Sequence, residues 1–564
     1  MKRVLAIGAV ATATLVVPAA AFAHAALLRT TPAASVTVNT VPRQVALVYS
    51  EAVEPRFAVV SVTDADAHSQ TAGPPQRSAA NADELDVPLK DLRRGWYLVV
   101  WRVISVDGHP VRGAFTFAVG PNPGPAPQFR IPSLSETAAT PTLVAARWIV
   151  FLSLMTAIGI FVLRIAIVRP LRGPPRALTA VFWTALVVAL VAVPVYALLA
   201  TSEFALRSFW SLGALIPLLR TSAFGRGYLD LELLLALFAV AAGVALWVDR
   251  PDRDRRSVAE LLALCGAGLA AGAVLLVPGA AGHAAQTVPR PLALALDWLH
   301  LVAGSLWVGG LIGLLVLWRS LPAARRLAGL AVCVPRFSNV AFGSVIVLFG
   351  SGVAASVLHL PTLASLWQTS YGQAIIAKAS LLLCAIVVAS GNLLRTVPAL
   401  SGAEPSPGAA VLLRRLVSVE VLLVAAAVAV AAVLSSLPPP PAALAAIGGA
   451  SAHTGPGPVT RVVNQHGYRL EFHITPNRAA VPNQFAVRID RGTTPVPSAD
   501  VTATFTMLDM EMPAQSYKLS EASPGLYQHS APALVMVGHW GLSFAIAPQG
   551  AAPFTVLLLD RANG

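Results

Sequence analysis

Three cysteines in 564 residues leave little room for thiolate chemistry. Cys265 and Cys384 fall in apolar segments, Cys333 is expected in a loop, and none lies in the two polar stretches of the chain. Those stretches must fold without disulfides, and the lack of any CxxC pair excludes thiolate zinc and iron–sulfur sites. Charge is also scarce, at 12% of residues, where a soluble chain carries about 25%. Lysine is confined to Lys2, Lys90, Lys378 and Lys518, so the net charge of +13 is carried by arginine. Many of the arginines sit in short loops between apolar runs, which argues against a basic nucleic-acid face. No GxxxxGK[ST] occurs, so nothing here is directly driven by ATP through a P-loop. The phosphorylated-aspartate signature of a metal pump, catalytic triads and nucleophile elbows are missing too, and the chain is expected not to be an enzyme.

What is present is apolar: 56% hydrophobic residues and a mean hydropathy of +0.68. Eight segments reach the roughly 20 residues that a bilayer crossing needs, near 143–168, 178–200, 229–248, 257–278, 292–318, 337–358, 374–394 and 412–436. Arginines crowd the loops after the first, third, fifth and seventh segments, for example Arg169, Arg172 and Arg176, then Arg250, Arg253, Arg255 and Arg256. The alternate loops hold only Arg207, Arg220, Arg226 and Arg290. The arginine-rich loops are therefore expected on the cytoplasmic side. At the N-terminus, Lys2 and Arg3, a short apolar run and Ala21-Phe22-Ala23 read as a secretory signal with a small-x-small cleavage site. Both signals place the two polar regions outside, in a bacterial cytoplasmic (inner) membrane protein with extracytoplasmic N- and C-terminal domains.

The expected organisation is a signal peptide (1–23), an all-β domain (24–120), a Pro/Gly/Ser-rich linker (121–141), an eight-helix transmembrane bundle (142–436), a second linker (437–460) and a C-terminal all-β domain (461–564). In the first domain, alternation at Gln44–Tyr49, Phe57–Thr63, Trp96–Val103 and Ala114–Val119 predicts strands. Without crossover helices these make a small antiparallel sandwich or barrel. From Arg461 onward, alternating strands broken by Pro, Gly and Asn suggest an immunoglobulin-like sandwich.

Cleavage after Ala23 would leave His24 as the first residue. Its free amine and imidazole could then grip one metal in a small chelate ring, once the amine, which ordinarily titrates at about 7.7–8.0, has lost its proton. Ser105-Val-Asp107-Gly-His109-Pro places a carboxylate and a second imidazole around a glycine at a hairpin-like tip. Two imidazoles, an amine and a carboxylate suit the tetragonal preference of copper(II). The stretch from His24 to Val119 has no methionine or cysteine, hence no soft copper(I) site. Alone, Asp-Gly-His-Pro is a turn and a leading histidine incidental; their combination points to metal. His24-Ala-Ala-Leu-Leu-Arg-Thr-Thr-Pro-Ala, Val48-Tyr-Ser-Glu-Ala-Val and Trp101-Arg-Val-Ile-Ser-Val-Asp-Gly-His-Pro-Val-Arg-Gly-Ala-Phe resemble CopC, a family of periplasmic copper-binding proteins, over the whole first domain. The resemblance implies a Greek-key β-barrel, copper(II) ligation by His24, Asp107 and His109, and Glu51 as an acidic neighbour of the site. The methionines that give some family members a second, copper(I) site are lacking.

Ionisable residues inside a bilayer are costly and mark functional positions. Asp297 and His300 are three apart at the outer end of the fifth segment and so share a helix face. His283 precedes that segment and His359 ends the sixth, all on the expected outer side. These four are candidates for a membrane copper path. Histidines at helix ends also occur merely as interface residues; Lys378 is expected to snorkel and Glu420 to pair with an arginine. Gly282-His-Ala, Asp297-Trp-Leu-His-Leu-Val-Ala-Gly-Ser-Leu-Trp-Val-Gly-Gly310, Arg336-Phe-Ser and Tyr371-Gly with Lys378 resemble CopD, the inner-membrane copper-resistance family, across all eight helices. Copper transport is what the resemblance implies.

In the last domain Met507, Met510 and Met512 are followed by His529, Met536 and His539. Thioethers and imidazoles together suit copper(I), although methionine is also a common gap filler in cores. Gly525-Leu-Tyr and Gly538-His-Trp-Gly resemble YtkA-like domains, and the three-part order is similar to that of the YcnJ-type copper proteins. The expected function is capture of copper(II) outside and copper import through the bundle. A periplasmic copper chaperone or reductase is a candidate partner beside copper ions and the lipid bilayer. The rival readings are a membrane b-type cytochrome that reduces copper(II), with His283, His300 or His359 holding haem, and a surface copper buffer that transports nothing.

Overall fold

The computed structural model describes residues 27–563, apart from 35, 50–51, 105–109, 122, 124–139, 206, 222, 254, 286, 361, 403–405, 438–451, 480, 509–513 and 536–537. The helical bundle forms one compact unit and the β-rich parts another.

In the N-terminal region, Val, Leu and Tyr alternate with polar residues, a period of two that buries one face of each strand. Eight strands result: β1 (Leu27–Thr31), β2 (Thr37–Val38), β3 (Gln44–Tyr49), β4 (Val59–Asp64), β5 (Gln76–Arg77), β6 (Glu84–Pro88), β7 (Gly95–Ile104) and β8 (Pro110–Val119). They form two four-stranded sheets, ordered β1-β3-β6-β5 and β2-β8-β7-β4. Tyr49, Trp101 and Phe117 are among the largest side chains of the core, and Tyr49 meets Trp101 edge-on at 5.7 Å. The β7–β8 hairpin is in register from Gly95↔Val119 to Ile104↔Pro110, so residues 105–109 are its connection.

Among the described residues, eight helices are long and apolar enough to cross a membrane: α1 (Pro141–Val162, continued by a π-helical Leu163–Ile167), α2 (Arg176–Phe204), α3 (Ala223–Val248), α4 (Val258–Ala280), α5 (Arg290–Ser320), α6 (Ala323–His359), α7 (Ser370–Gly391) and α8 (Pro407–Leu434). Their number and order match the sequence reading. Helix α6 does not: it begins at Ala323 rather than near 337, and spans 37 residues. Arg325, Arg326 and Arg336 thus lie on a helix, and Cys333, expected in a loop, is buried in α6 with its Sγ 3.8 Å from the Ile167 carbonyl. The reason is local. Ala323-Ala-Arg-Arg-Leu-Ala is strongly helix-forming, and its arginines hid the continuity from a hydropathy reading. A further short helix, Leu212–Thr221, follows α2, burying Leu215 and Leu218 while Leu212 and Ile216 stay exposed.

Apolar lipid gives no hydrophobic drive to join helices, so small residues must bring backbones into contact. Gly159 of α1 and Gly309 of α5 do so: a Cβ on Gly309 would lie 2.6 Å from the Gly159 Cα. Two buried charges of the bundle have polar or ionic partners. Arg147 of α1 donates to Tyr196 through Nε (2.9 Å) and to Ser435 and Ser436 (3.0 and 2.6 Å). Asp249, after α3, takes Arg164 at 3.4 Å and Arg169 at 3.7 Å.

The C-terminal region is again β-rich: β9 (Ala452–His453), β10 (Val459–Gln465), β11 (Tyr468–Thr475), β12 (Asn483–Arg491), β13 (Thr494–Pro495), β14 (Asp500–Met507), β15 (Gln515–Ser523), β16 (Leu526–Ala531), β17 (Gly538–Ala547) and β18 (Phe554–Ala562). The strand order is β10-β11-β12-β16-β15-β14-β17-β18-β9, with β13 added to β12. Trp540, Phe472, Phe505 and Phe544 fill the core.

Candidate metal centre

The residues expected to hold copper(II), His24, Asp107 and His109, lie outside the described residues, as do their expected neighbour Glu51 and Met510, Met512 and Met536. What is described is the frame from which the first set projects. β1 begins at Leu27, three residues after His24, and Leu27 is paired with Tyr49, two residues before Glu51. Tyr49 touches Trp101 on β7, the strand that ends at Ile104 next to the 105–109 connection.

In the bundle, His300 lies about 15 Å along α5 from Arg290, at 1.5 Å per residue. Its Nδ1 is 3.0 Å from Ser351 Oγ, and that hydroxyl donates to the Val347 carbonyl at 2.6 Å. With its only proton committed there, Ser351 accepts from His300, which places the ring proton on Nδ1. Nε2 is therefore a bare lone pair, and Lys378 Nζ of α7 donates to it at 3.1 Å. Lys378 was expected to snorkel to the interface; it turns instead onto the imidazole. Metal-binding histidines use the same second-nitrogen hydrogen bond to fix the tautomer.

Asp297, one turn earlier on α5, points toward the end of α4: a Cβ on Gly279 would lie 2.5 Å from its Oδ2. His359 closes α6. Its Nδ1 donates to the Ala355 carbonyl at 2.7 Å, its Nε2 faces Thr287 Oγ1 at 3.1 Å, and its ring stacks on Tyr371 at 6.3 Å. The backbone of His283 lies in the 3-10 turn His283–Ala285. The three described membrane candidates do not form a ready chelate. Among the described residues, only Asp64, Asp66 and His68 bring three Asp, Glu, His or Cys ligand atoms within 4.8 Å of one another. Asp297, His300 and His359 each meet different partners.

The Asp64 trio, which the sequence reading did not single out, is a turn. Asp64 Oδ1 accepts from the backbone of Asp66 (3.1 Å) and His68 (2.8 Å), and Oδ2 from Gln70 (2.8 Å). Desolvation opposes ionisation of Asp64, but the His68 backbone N–H, the His68 imidazole, Gln70 and the Asp66 N–H together hold it below the usual carboxylate range.

In the C-terminal domain, Met507 is buried at the end of β14, opposite Trp540. His539 is exposed on β17, and its carbonyl accepts from Leu508 N at 2.8 Å, beside the start of 509–513. His529 sits on β16, its ring stacked on Tyr517 at 5.2 Å.

Comparison with known proteins finds three domain matches along the chain. The CopC domain model matches residues 27–120, that of copper resistance protein D residues 331–434, and that of YtkA-like domains residues 463–545. The CopD match covers most of α6 with α7 and α8, so it includes Lys378 and His359 but leaves out Asp297 and His300. Copper transport protein CutJ of Bacillus subtilis is 26% identical over 389 residues, 67% of this chain and 69% of that protein. Protein YobA of Escherichia coli K12 is 38% identical over 112 residues, 20% of this chain and 90% of its own length. Copper resistance protein C of Xanthomonas campestris is 32% identical over 107 residues, 18% of this chain and 84% of its own. Given these matches and the β-domain, eight-helix bundle and β-domain that carry them, the chain belongs to the CopC family and also carries copper resistance protein D and YtkA-like domains, in that order.

Proposed function

We propose that the chain imports copper across the bacterial cytoplasmic membrane and is not itself an enzyme. The first domain captures copper(II) outside the membrane through the His24 amine and imidazole, Asp107 and His109. The bundle accepts the ion at the outer ends of α5, α6 and α7, and moves it inward. The observation that carries this reading is His300: an imidazole inside a membrane-spanning helix, with Nδ1 fixed by Ser351 and Nε2 presented to Lys378. A neutral nitrogen with its tautomer set is a borderline donor suited to copper, and the lysine opposite it can withdraw when the metal arrives. Asp297, His283 and His359 line the approach. The arginine-rich loops support an outward-facing position for this end of the bundle. The C-terminal domain would hold copper(I) on Met507, Met510, Met512, Met536, His529 and His539, with Met507 able to join only if the end of β14 opens.

Radioactive copper uptake into proteoliposomes tests the reading. The full chain should accumulate copper in the lumen, and His300→Ala should lose most of that accumulation while copper(II) binding by the first domain persists. Surface binding without lumenal accumulation would leave a buffer. Equal uptake by His300→Ala would remove His300 from the path, and a haem absorption band in the purified protein would favour the cytochrome.

A further inference from the structure

A second polar group lies deeper in the bundle, away from the histidines. Glu420 of α8 was expected to pair with an arginine, but it is only 2% exposed and its described partner is an amide: Asn392 Nδ2 donates to its Oε1. Asn392 opens a π-helical turn, Asn392–Thr396, at the end of α7. Such turns widen the helix and recur at functional sites. The Thr396 hydroxyl donates to the Asn392 backbone carbonyl at 2.6 Å and lies 3.0 Å from the side-chain oxygen of Asn392, whose amide nitrogen faces Glu420. Both side chains border a cavity of about 150 Å³ with Trp307 and Leu314 of α5 and Phe337 and Ser338 of α6. Along α5 the cavity begins roughly 10 Å beyond His300 and extends to roughly 20 Å.

The charged and titratable groups on the surrounding elements do not neutralise this carboxylate. Arg336 on α6, Arg395 in the π turn and Arg414 and Arg415 on α8 are exposed, and Arg414 lies over the Trp318 ring of α5. Arg319 closes α5 beyond the cavity. Cys333 of α6 faces the Ile167 carbonyl, Arg147 of α1 is bound by Tyr196, Ser435 and Ser436, and Lys378 of α7 is on His300. Cys384 of α7 is exposed. An ionised carboxylate at membrane depth with only an amide for company is expensive. The site is built to receive one positive charge from the cavity. Its donors are hard oxygens, with no thioether or thiolate, which suits a proton better than copper(I).

We propose that Glu420 is a proton-binding site in the bundle, and that exchange of its proton couples ion movement through the cavity to the transmembrane pH gradient. The balance is simple: a proton leaves the Oε2 carboxyl for cavity water when a cation enters the cavity, and another returns when the cation has left. The protonation site stands on its own; the coupling rests on the transport reading above.

Two measurements keep them apart. Infrared difference spectra of the full chain between acidic and alkaline buffer should contain a protonated-carboxyl band that disappears in Glu420→Gln. Persistence of every such band in that variant overturns the proton site, whatever the protein transports. In proteoliposomes supplied with copper(II) chloride and ascorbate, wild-type uptake should change at least several-fold when the imposed pH gradient is reversed. Glu420→Gln should flatten that response, and Glu420→Asp should restore part of it. An equally gradient-sensitive Glu420→Gln overturns the coupling. No copper uptake by wild type, with the infrared band intact, overturns the transport reading and leaves the proton site standing.

Discussion

Replacing Lys378 by methionine is the sharpest probe of the bundle, because the lysine and an incoming metal want the same lone pair. The ammonium donates to His300 Nε2 at 3.1 Å, and a hydrogen bond with a charged partner contributes about 1.5–3 kcal/mol. Copper must displace it before the imidazole can bind. Methionine keeps most of the apolar stem but donates nothing, so it removes that competition. At about 1.4 kcal/mol per decade, Lys378→Met should tighten copper binding at His300 by roughly 10- to 100-fold and slow its release. The assay is competition between a chromophoric chelator and the purified full chain, in a His109→Ala background that weakens the first-domain site. His300→Ala should abolish the additional binding, alone or combined with Lys378→Met. If Lys378→Met instead weakens binding to the level of His300→Ala, the amine is itself a ligand and the competition argument fails.

Three further expectations follow from the same contacts. Gly309→Ala should destabilise the α1–α5 crossing by about 1–3 kcal/mol, since the added Cβ would meet backbone at Gly159 rather than a movable side chain; an unchanged thermal midpoint in detergent would contradict that packing. Gly279→Ala should leave the fold intact but displace the Asp297 carboxylate, lowering copper uptake with little change in melting. Asp560 is buried in the C-terminal domain, and desolvation raises its pKa against hydrogen bonds from Thr454 and Asn477. The unfolded chain then ionises this group more readily than the folded one. Its contribution favours folding at pH values below about 3.9, the unfolded value, and is lost as pH rises through the higher folded value. Asp560→Asn should flatten that part of the wild-type stability profile in calorimetry across acidic pH.

The frame of the molecule was legible because its signals are coarse and repeated. Eight apolar runs separated by alternating arginine content specify eight helices, and period-two alternation marked four of the eight described first-domain strands. The errors have a common source. Cys333 and the start of α6 were misplaced because Arg325, Arg326 and Arg336 read as loop, although the segment has strong helix propensity. Lys378 and Glu420 were given the default fate of charges in a membrane helix, an interface position or an arginine partner. Their real partners, His300 and Asn392, are 78 and 28 residues away in sequence, and no local pattern encodes a contact made only when helices pack. Asp64, Asp66 and His68 illustrate the opposite case: a ligand-like spacing that the backbone of its own turn already uses.

The driving force is where these observations converge. One way to concentrate an ion is to couple it to a proton gradient, and such coupling uses a group that changes charge within the path. On the transport reading, His300, with Lys378 on one nitrogen and Ser351 on the other, would select for a metal that can replace a hydrogen bond. Glu420, with its single amide partner and its cavity, offers soft metals little and protons a great deal. On the transport reading, a nitrogen station at His300 of α5 would select the cargo while an oxygen station at Glu420 of α8 would sense the gradient. Losing the first should abolish uptake, whereas losing the second should leave uptake that no longer responds to pH. A protein in which both substitutions produced the same partial loss would have one pathway of redundant polar groups, and the division of labour argued here would be wrong.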